Sequence, residues 1–125
     1  MTDQPHATDT SFRRELRLRG RSAFKHVHEA RVRRESGPLL VYARPNALAF
    51  SRIGLAISRA VGNAVRRNRI KRRLREAFRY HRHNWPSGFD WMVVVRPHEP
   101  ATVERYADLL NELTTRLDME WKTRD

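Results

Sequence analysis

The chain contains no cysteine. Disulfides, thiol catalysis and cysteine-ligated zinc are therefore excluded, and the composition fits a cytoplasmic setting. No apolar run approaches the roughly 20 residues that a membrane-spanning helix needs, so no membrane partner is expected. The opening MTDQPHATDTS is polar and has no apolar signal core. Residues 1–11 read as a disordered tail, residues 12–122 as one domain, and residues 123–125 as a short C-terminal tail. A glycine-rich phosphate loop is missing too. Outside the tail and the last helical stretch the acids are Glu15, Glu29, Glu35, Glu76, Asp90 and Glu99. They are scattered, whereas two-metal phosphodiester cleavage needs carboxylates that converge. His26 and His28, like His81 and His83, stand two residues apart and do not share a helix face, so they make poor metal pairs. No catalytic residue, metal ligand or cofactor site is assigned to the protein.

What the chain has is arginine. Its formal net charge is +12, and only Lys25, Lys71 and Lys122 among its 26 basic residues are lysines. Residues 11–82 hold 21 basic and 4 acidic side chains, and the remainder holds 5 and 10. One part of the molecule is built for an anion. Arginine supplies a planar fork for phosphate and can stack on bases.

The charge is densest from Arg59 to Arg82. At ~100° per residue, Ile70, Leu74, Ala77 and Phe78 share one helix face. Arg67, Lys71, Arg75 and Arg79 form a row beside that stripe, with Asn68 and Arg72 next to it. Arg66, Arg69 and Arg73 fill the other flank. Like charges one turn apart cost ~0.2–0.5 kcal/mol per pair, and Glu76 is there to relieve its neighbours Arg72, Arg73 and Arg79. Asn63 after Gly62 is a plausible N-cap, and the helix N-terminus suits phosphate. Such a repulsive helix points to nucleic acid.

The rest of the chain surrounds this helix. Residues 12–18, FRRELRL, read as an extended lead-in that Gly20 ends. Residues 21–30 read as a short helix with Ala23, Phe24, Val27 and Ala30 on one face, and Arg31 to Ser36 as a basic connector. Pro38 to Arg44 is a strand with Leu39, Val41 and Ala43 opposite Leu40, Tyr42 and Arg44. Arg52 to Ser58 is a second, with Ile53, Leu55 and Ile57 opposite the small Gly54, Ala56 and Ser58. The small face fits either a packed helix or a ligand groove, in which Tyr42 would serve as a stacking platform. Asp90 to Arg96 is apolar on both faces and belongs inside a sheet. Thr102 caps a last amphipathic helix that carries the stripe Val103 to Trp121 and an acidic outer face. The expected fold is α+β, a small two-layer sandwich in the order α-β-β(-β)-α-β-α. The residues alone describe an RNA or DNA binder without a visible protein active site.

The run Arg67-Asn68-Arg69-Ile70-Lys71-Arg72-Arg73-Leu74-Arg75 resembles the RNR-x-KR-x-x-R helix of the bacterial ribonuclease P protein family. The resemblance covers roughly residues 12–122, including the lead-in, the first helix from Phe24 to His28, the strand Arg52 to Ser58 and the strand Phe89 to Val95. It implies an RNA-binding subunit of an endoribonuclease that removes the 5′ leader of precursor tRNA. The chemistry and its Mg2+ ions then belong to the catalytic RNA, and the protein alone is expected to be a monomer. By the resemblance, Arg67, Asn68, Arg69, Lys71, Arg72 and Arg75 contact the catalytic RNA, and Arg66, in the first turn of the same helix, is expected to join them. Phe24, His28, Tyr42, Gly54, Ala56 and Ser58 belong to a groove for the single-stranded leader. His28 stands where members often carry a second aromatic residue, and its imidazole offers less apolar area. The resemblance also implies a left-handed crossover between two parallel strands, against the general rule. A structural RNA-binding protein of ribosomal type, with no role in tRNA cleavage, is the alternative. A DNA-binding module and a protein-only nuclease fit less well, for want of base-reading residues and of carboxylates.

Overall fold

Three apolar strands and one polar strand build a four-stranded sheet. The computed structural model describes residues 16–124, so the expected tail and the first part of the lead-in fall outside the described residues. In chain order the elements are α1 (Arg21–Glu29), β1 (Arg33–Ser36), β2 (Leu39–Pro45), β3 (Arg52–Ile57), α2 (Ala64–His81), β4 (Phe89–Val95) and α3 (Val103–Thr123). The strand order is β1-β2-β4-β3. β1 and β2 pair antiparallel, as do β2 and β4, while β3 runs parallel to β4. A parallel neighbour needs a crossover, and α2 supplies it. β4 lies between two strands, as its apolar faces require.

The two faces of the sheet have different jobs. Leu39, Val41 and Ala43 of β2 and Trp91, Val93 and Val95 of β4 enter the main core with Ile53. Against them pack Ile70, Leu74, Ala77 and Phe78 of α2 and Tyr106, Leu110, Leu113 and Leu117 of α3, the stripes that the helical period marks. This is the two-layer sandwich. Among the described residues the opposite face carries α1 and Leu18 of the lead-in, and Val27 of α1 forms a smaller core with Leu18, Tyr42 and Met92. Burying an aliphatic side chain contributes ~1.5–3 kcal/mol, so both cores hold their helices firmly, the larger one more so.

The helix ends follow their caps. Asn63 Oδ1 accepts from Arg66 N at 2.9 Å, and Thr102 Oγ1 accepts from Arg105 N at 3.0 Å. His81, in the last turn of α2, stacks on Trp85 at 6.3 Å between ring centroids.

One expectation needs correction. Residues 33–36, read as part of a connector, form β1. Its side chains are mostly exposed, so no apolar alternation announces it. Backbone pairing with β2 makes the strand, and polar contacts tie it to its neighbours. Arg34 pairs with Glu120, Glu35 pairs with Arg96, and Ser36 Oγ donates to Glu112 at 3.1 Å.

An ion pair around the buried Asp90 fixes the start of β3 against β4. Arg52 Nε and Nη2 donate to the two oxygens of Asp90 at 2.8 and 2.7 Å, and Asn46 Nδ2 donates to Asp90 Oδ1 at 2.9 Å. The bond to Asp90 raises the Arg52 pKa above its ordinary value, and burial works against it.

α1 is seated by a glycine. A Cβ at Gly54 would stand 2.6 Å from Phe24 Cε1 and 2.8 Å from Cζ. Gly54→Ala is therefore expected to lift Phe24 and cost ~1–3 kcal/mol as overpacking. A lowered thermal midpoint with unchanged far-ultraviolet circular dichroism would confirm it, and an unchanged midpoint would show that Phe24 yields freely.

Candidate nucleic-acid interface

The basic face of α2 is held outward by the stripe buried behind it. Ile70, Leu74 and Ala77 are fully buried and Phe78 nearly so, which fixes the rotation of the helix about its axis. The side chains of Asn68, Lys71, Arg72, Arg75 and Arg79 then line one cleft of about 380 Å³, together with Glu76 and with Arg17 of the lead-in. Arg72 Nε lies 3.9 Å from Glu76 Oε1. That long pair is the charge relief expected of Glu76, and it leaves the cleft strongly positive.

The other predicted cations are placed differently. Arg66 Nη1 pairs with Glu99 Oε2 at 3.2 Å, and Arg73 Nη1 donates to the Ala101 carbonyl at 2.9 Å. Both side chains reach the loop between β4 and α3, away from the cleft. Arg69 is exposed and lies outside the cleft lining. Arg67 Nε donates to the Gly62 carbonyl at 3.1 Å, which ties it to the entry turn. Gly62 has φ 153 and ψ −169, a backbone region reserved for glycine. A Cβ there would also stand 2.5 Å from Arg66 Cδ.

The expected groove residues divide between two clefts on the α1 side. The first holds about 280 Å³ and is lined by Phe24 and Gly54 with Leu18, Arg19, Gly20 and Leu55. The second holds about 490 Å³ and is lined by His28, Glu29, Arg31, Arg33 and Tyr42. Tyr42 is only 6% exposed. His28 lies over its ring, with centroids 4.8 Å apart and planes tilted by 36°, and Arg33 Nη1 donates to its hydroxyl at 3.1 Å. The exposed ring of this cleft is His28, and Tyr42 lies buried beside it. Of the small face, Gly54 is taken by helix packing. Ala56 is half-buried and Ser58 exposed, and neither lines either cleft.

Sequence reasoning did not single out Arg17, Arg19, Arg31 and Arg33 as site residues. Arg17 and Arg19 belong to the lead-in, whose mixture of leucine and arginine was the available signal. The Arg75 pKa is lowered first by burial and then by the charge of Arg17. Among the described residues no group of three or more His, Asp or Glu is placed to hold a metal ion. No helix among them is long and apolar enough to cross a membrane.

Comparison with known proteins gives this surface a family. A family model described as Ribonuclease P matches residues 12–118. The chain belongs to the ribonuclease P protein family. It is 39% identical over 102 residues to the ribonuclease P protein component of Desulfovibrio desulfuricans, covering 80% of this chain and 78% of that one. The corresponding protein of Methylococcus capsulatus is 44% identical over 103 residues, covering 82% and 78%. Among solved structures, the RNase P protein from Thermotoga maritima superposes with a TM-score of 0.73 at 31% identity, covering 80% of this chain and 96% of that one. The Staphylococcus aureus RNase P protein gives 0.70 at 26% identity, covering 81% and 94%. The ribonuclease P family name accords with the resemblance of residues 67–75, and the shared fold accords with the expected α+β sandwich.

The clustering on α2 makes a salt-dependence prediction. Lys71→Ala with Arg72→Ala should leave the helix intact, because alanine is the best helix former. It should reduce the slope of log affinity against log salt for structured RNA by up to ~1.8, at ~0.9 for each duplex phosphate that is no longer neutralised. Filter binding across a salt series measures the slope, and an unchanged slope would remove this cleft from the RNA interface.

Proposed function

We propose that this chain is the protein subunit of ribonuclease P, binding the catalytic RNA through the α2 cleft and the 5′ leader of precursor tRNA through the α1 side of the sheet. The observation that carries the reading is the α2 cleft itself. Asn68, Lys71, Arg72 and Arg75 of the family's motif line one surface, and the apolar stripe behind them is buried. Charge carried on a rigid helix suits a folded polyanion, because the backbone that bears it needs no ordering on binding. Arg67 supports the surface by fixing the turn at Gly62, Arg66 ties the start of the helix to Glu99, and Arg69 extends the positive field around the cleft.

On the other face, Phe24 and His28 present rings beside Arg19, Arg31 and Arg33. Rings next to cations are the usual platform for single-stranded nucleic acid, which binds through stacking and phosphate contacts without a fixed sequence. Leader hydrolysis belongs, in this reading, to the catalytic RNA and its Mg2+ ions. The protein places substrate and ribozyme in register and contributes no group to bond cleavage. It acts as a monomer in the cytoplasm.

Reconstitution tests the proposal. Cleavage of a precursor tRNA at low Mg2+ is measured with a bacterial ribonuclease P RNA alone, with this protein alone, and with both. Cleavage is expected only, or far faster, with both. Tight RNA binding without any gain in cleavage would favour a structural RNA-binding protein, and cleavage by the purified protein alone would reveal a protein active site.

Two substitutions refine it. Phe24→Ala should weaken binding of leader-bearing precursor by ~1–3 kcal/mol if the ring stacks on a base, with mature tRNA unaffected. Equal losses for both ligands would take Phe24 out of the leader site. Glu76→Gln should leave cleavage by the reconstituted holoenzyme intact, since its carboxylate only relieves Arg72. An assembled but inactive holoenzyme would overturn that role.

A further inference from the structure

The α2 cleft and the α1 cleft lie on opposite faces of the sheet, yet they share two walls, Arg17 and Arg75. They meet around the outer edge of β3. We propose that Arg17 and Arg75 together grip a single phosphate of the 5′ leader at this edge, where the leader leaves the Phe24 cleft and reaches the surface that takes the catalytic RNA. This rests on the proposed function and adds to it a defined phosphate site.

Both arginines are anchored from behind. Arg17 sits between Leu16, buried in the core under α2 and α3, and Leu18, buried under α1. Its backbone bridges Ile53 in parallel, and Leu18 N donates to the Ile53 carbonyl at 2.8 Å. With anchors on both faces, Arg17 has nowhere to go but off the β3 edge. Arg75 follows the buried Leu74 on α2, so the core fixes its direction too.

Arg17 and Arg75 also line both openings together. Burial and the charge of Arg17 together lower the Arg75 pKa. Two guanidinium forks that line one opening match the several oxygens of a phosphate, whose charge is favoured by both. The neighbouring cleft holds about 280 Å³ beside the Phe24 ring. A nucleotide whose base stacks on Phe24 has its adjoining phosphate within reach of this edge, in keeping with the alternation of ring and cation that single strands favour. The other cations of the α2 cleft, Lys71, Arg72 and Arg79, stay with the catalytic RNA, as does Asn68.

Arg17→Gln and Arg75→Gln keep most of the aliphatic stem and remove the charge, and thermal melts confirm that each variant folds. Holoenzymes are reconstituted with a bacterial ribonuclease P RNA. Affinity is measured for precursor tRNA, for mature tRNA, and for precursors in which one leader phosphate at a time is a neutral methylphosphonate. Each variant is expected to weaken precursor binding about tenfold and to leave mature tRNA unchanged. The double variant should be little worse than either single one, because both arginines serve one phosphate. One methylphosphonate position should reproduce the loss with the natural protein and add nothing in the variants. Additive losses, equal losses with mature tRNA, or indifference to every methylphosphonate would each overturn the shared site. So would a loss confined to assembly with the catalytic RNA, which would give Arg75 to the ribozyme alone. Failure of the natural protein to stimulate cleavage would instead strike the proposed function.

Discussion

The burial of Ile70, Leu74, Ala77 and Phe78 is what allows α2 to exist as a charged helix. Each large apolar side chain contributes ~1.5–3 kcal/mol on burial. Each like-charge pair one turn apart opposes the helix by ~0.2–0.5 kcal/mol. Three large side chains therefore outweigh the repulsion among the arginines with little help from Glu76. The same contact sets the rotation of the helix, so one stripe decides both that α2 forms and which cations face the solvent. The position of α2 in turn depends on β3 and β4, which it joins as a parallel pair.

The acidic residues are spent away from that surface. On α3, Glu112 pairs with Arg116, Asp118 with Lys122, and Glu120 with Arg34 and Arg124. These exposed pairs contribute little stability individually. Their consequence is electrostatic: bases near α3 are neutralised in place, and the positive field is left to α2, the lead-in and α1. The loop between β4 and α3 belongs to the same arrangement. Arg73 holds the Ala101 carbonyl, the Ala101 amide donates to the Tyr106 hydroxyl at 3.1 Å, and His98 Nε2 lies 2.7 Å from that hydroxyl. Two arginines of α2, Arg66 and Arg73, thereby serve the scaffold.

Much of this was legible in the residues. The 3.6-residue period marked the stripes of α2 and α3, Asn63 and Thr102 marked their starts, and the apolar run of β4 marked an interior strand. These signals are local, and tertiary packing agreed with them. β1 left no such mark, because a strand held by backbone pairing and ion pairs needs no apolar alternation. The candidate site was legible to a smaller degree. The motif on α2 named Asn68, Lys71, Arg72 and Arg75, which do share a cleft, together with Arg67 and Arg69, which lie outside its lining. The small residues of β3 fitted a groove and a helix seat equally well, and only Phe24 lying on Gly54 distinguished the two at that position.

By itself the sequence determined the classes of element, the charge of the molecule and the absence of cysteine chemistry, because composition and period depend only on neighbours along the chain. It also carried the family, through a motif whose spacing is a property of one helix. The tertiary structure decided which cations work together. Arg17 and Arg75 are 58 positions apart in the chain, and no local pattern relates them. They meet because Leu16 and Leu18 pin the lead-in to the edge of β3 while Leu74 pins α2 to the core, and that juxtaposition exists only once both faces of the sheet are packed.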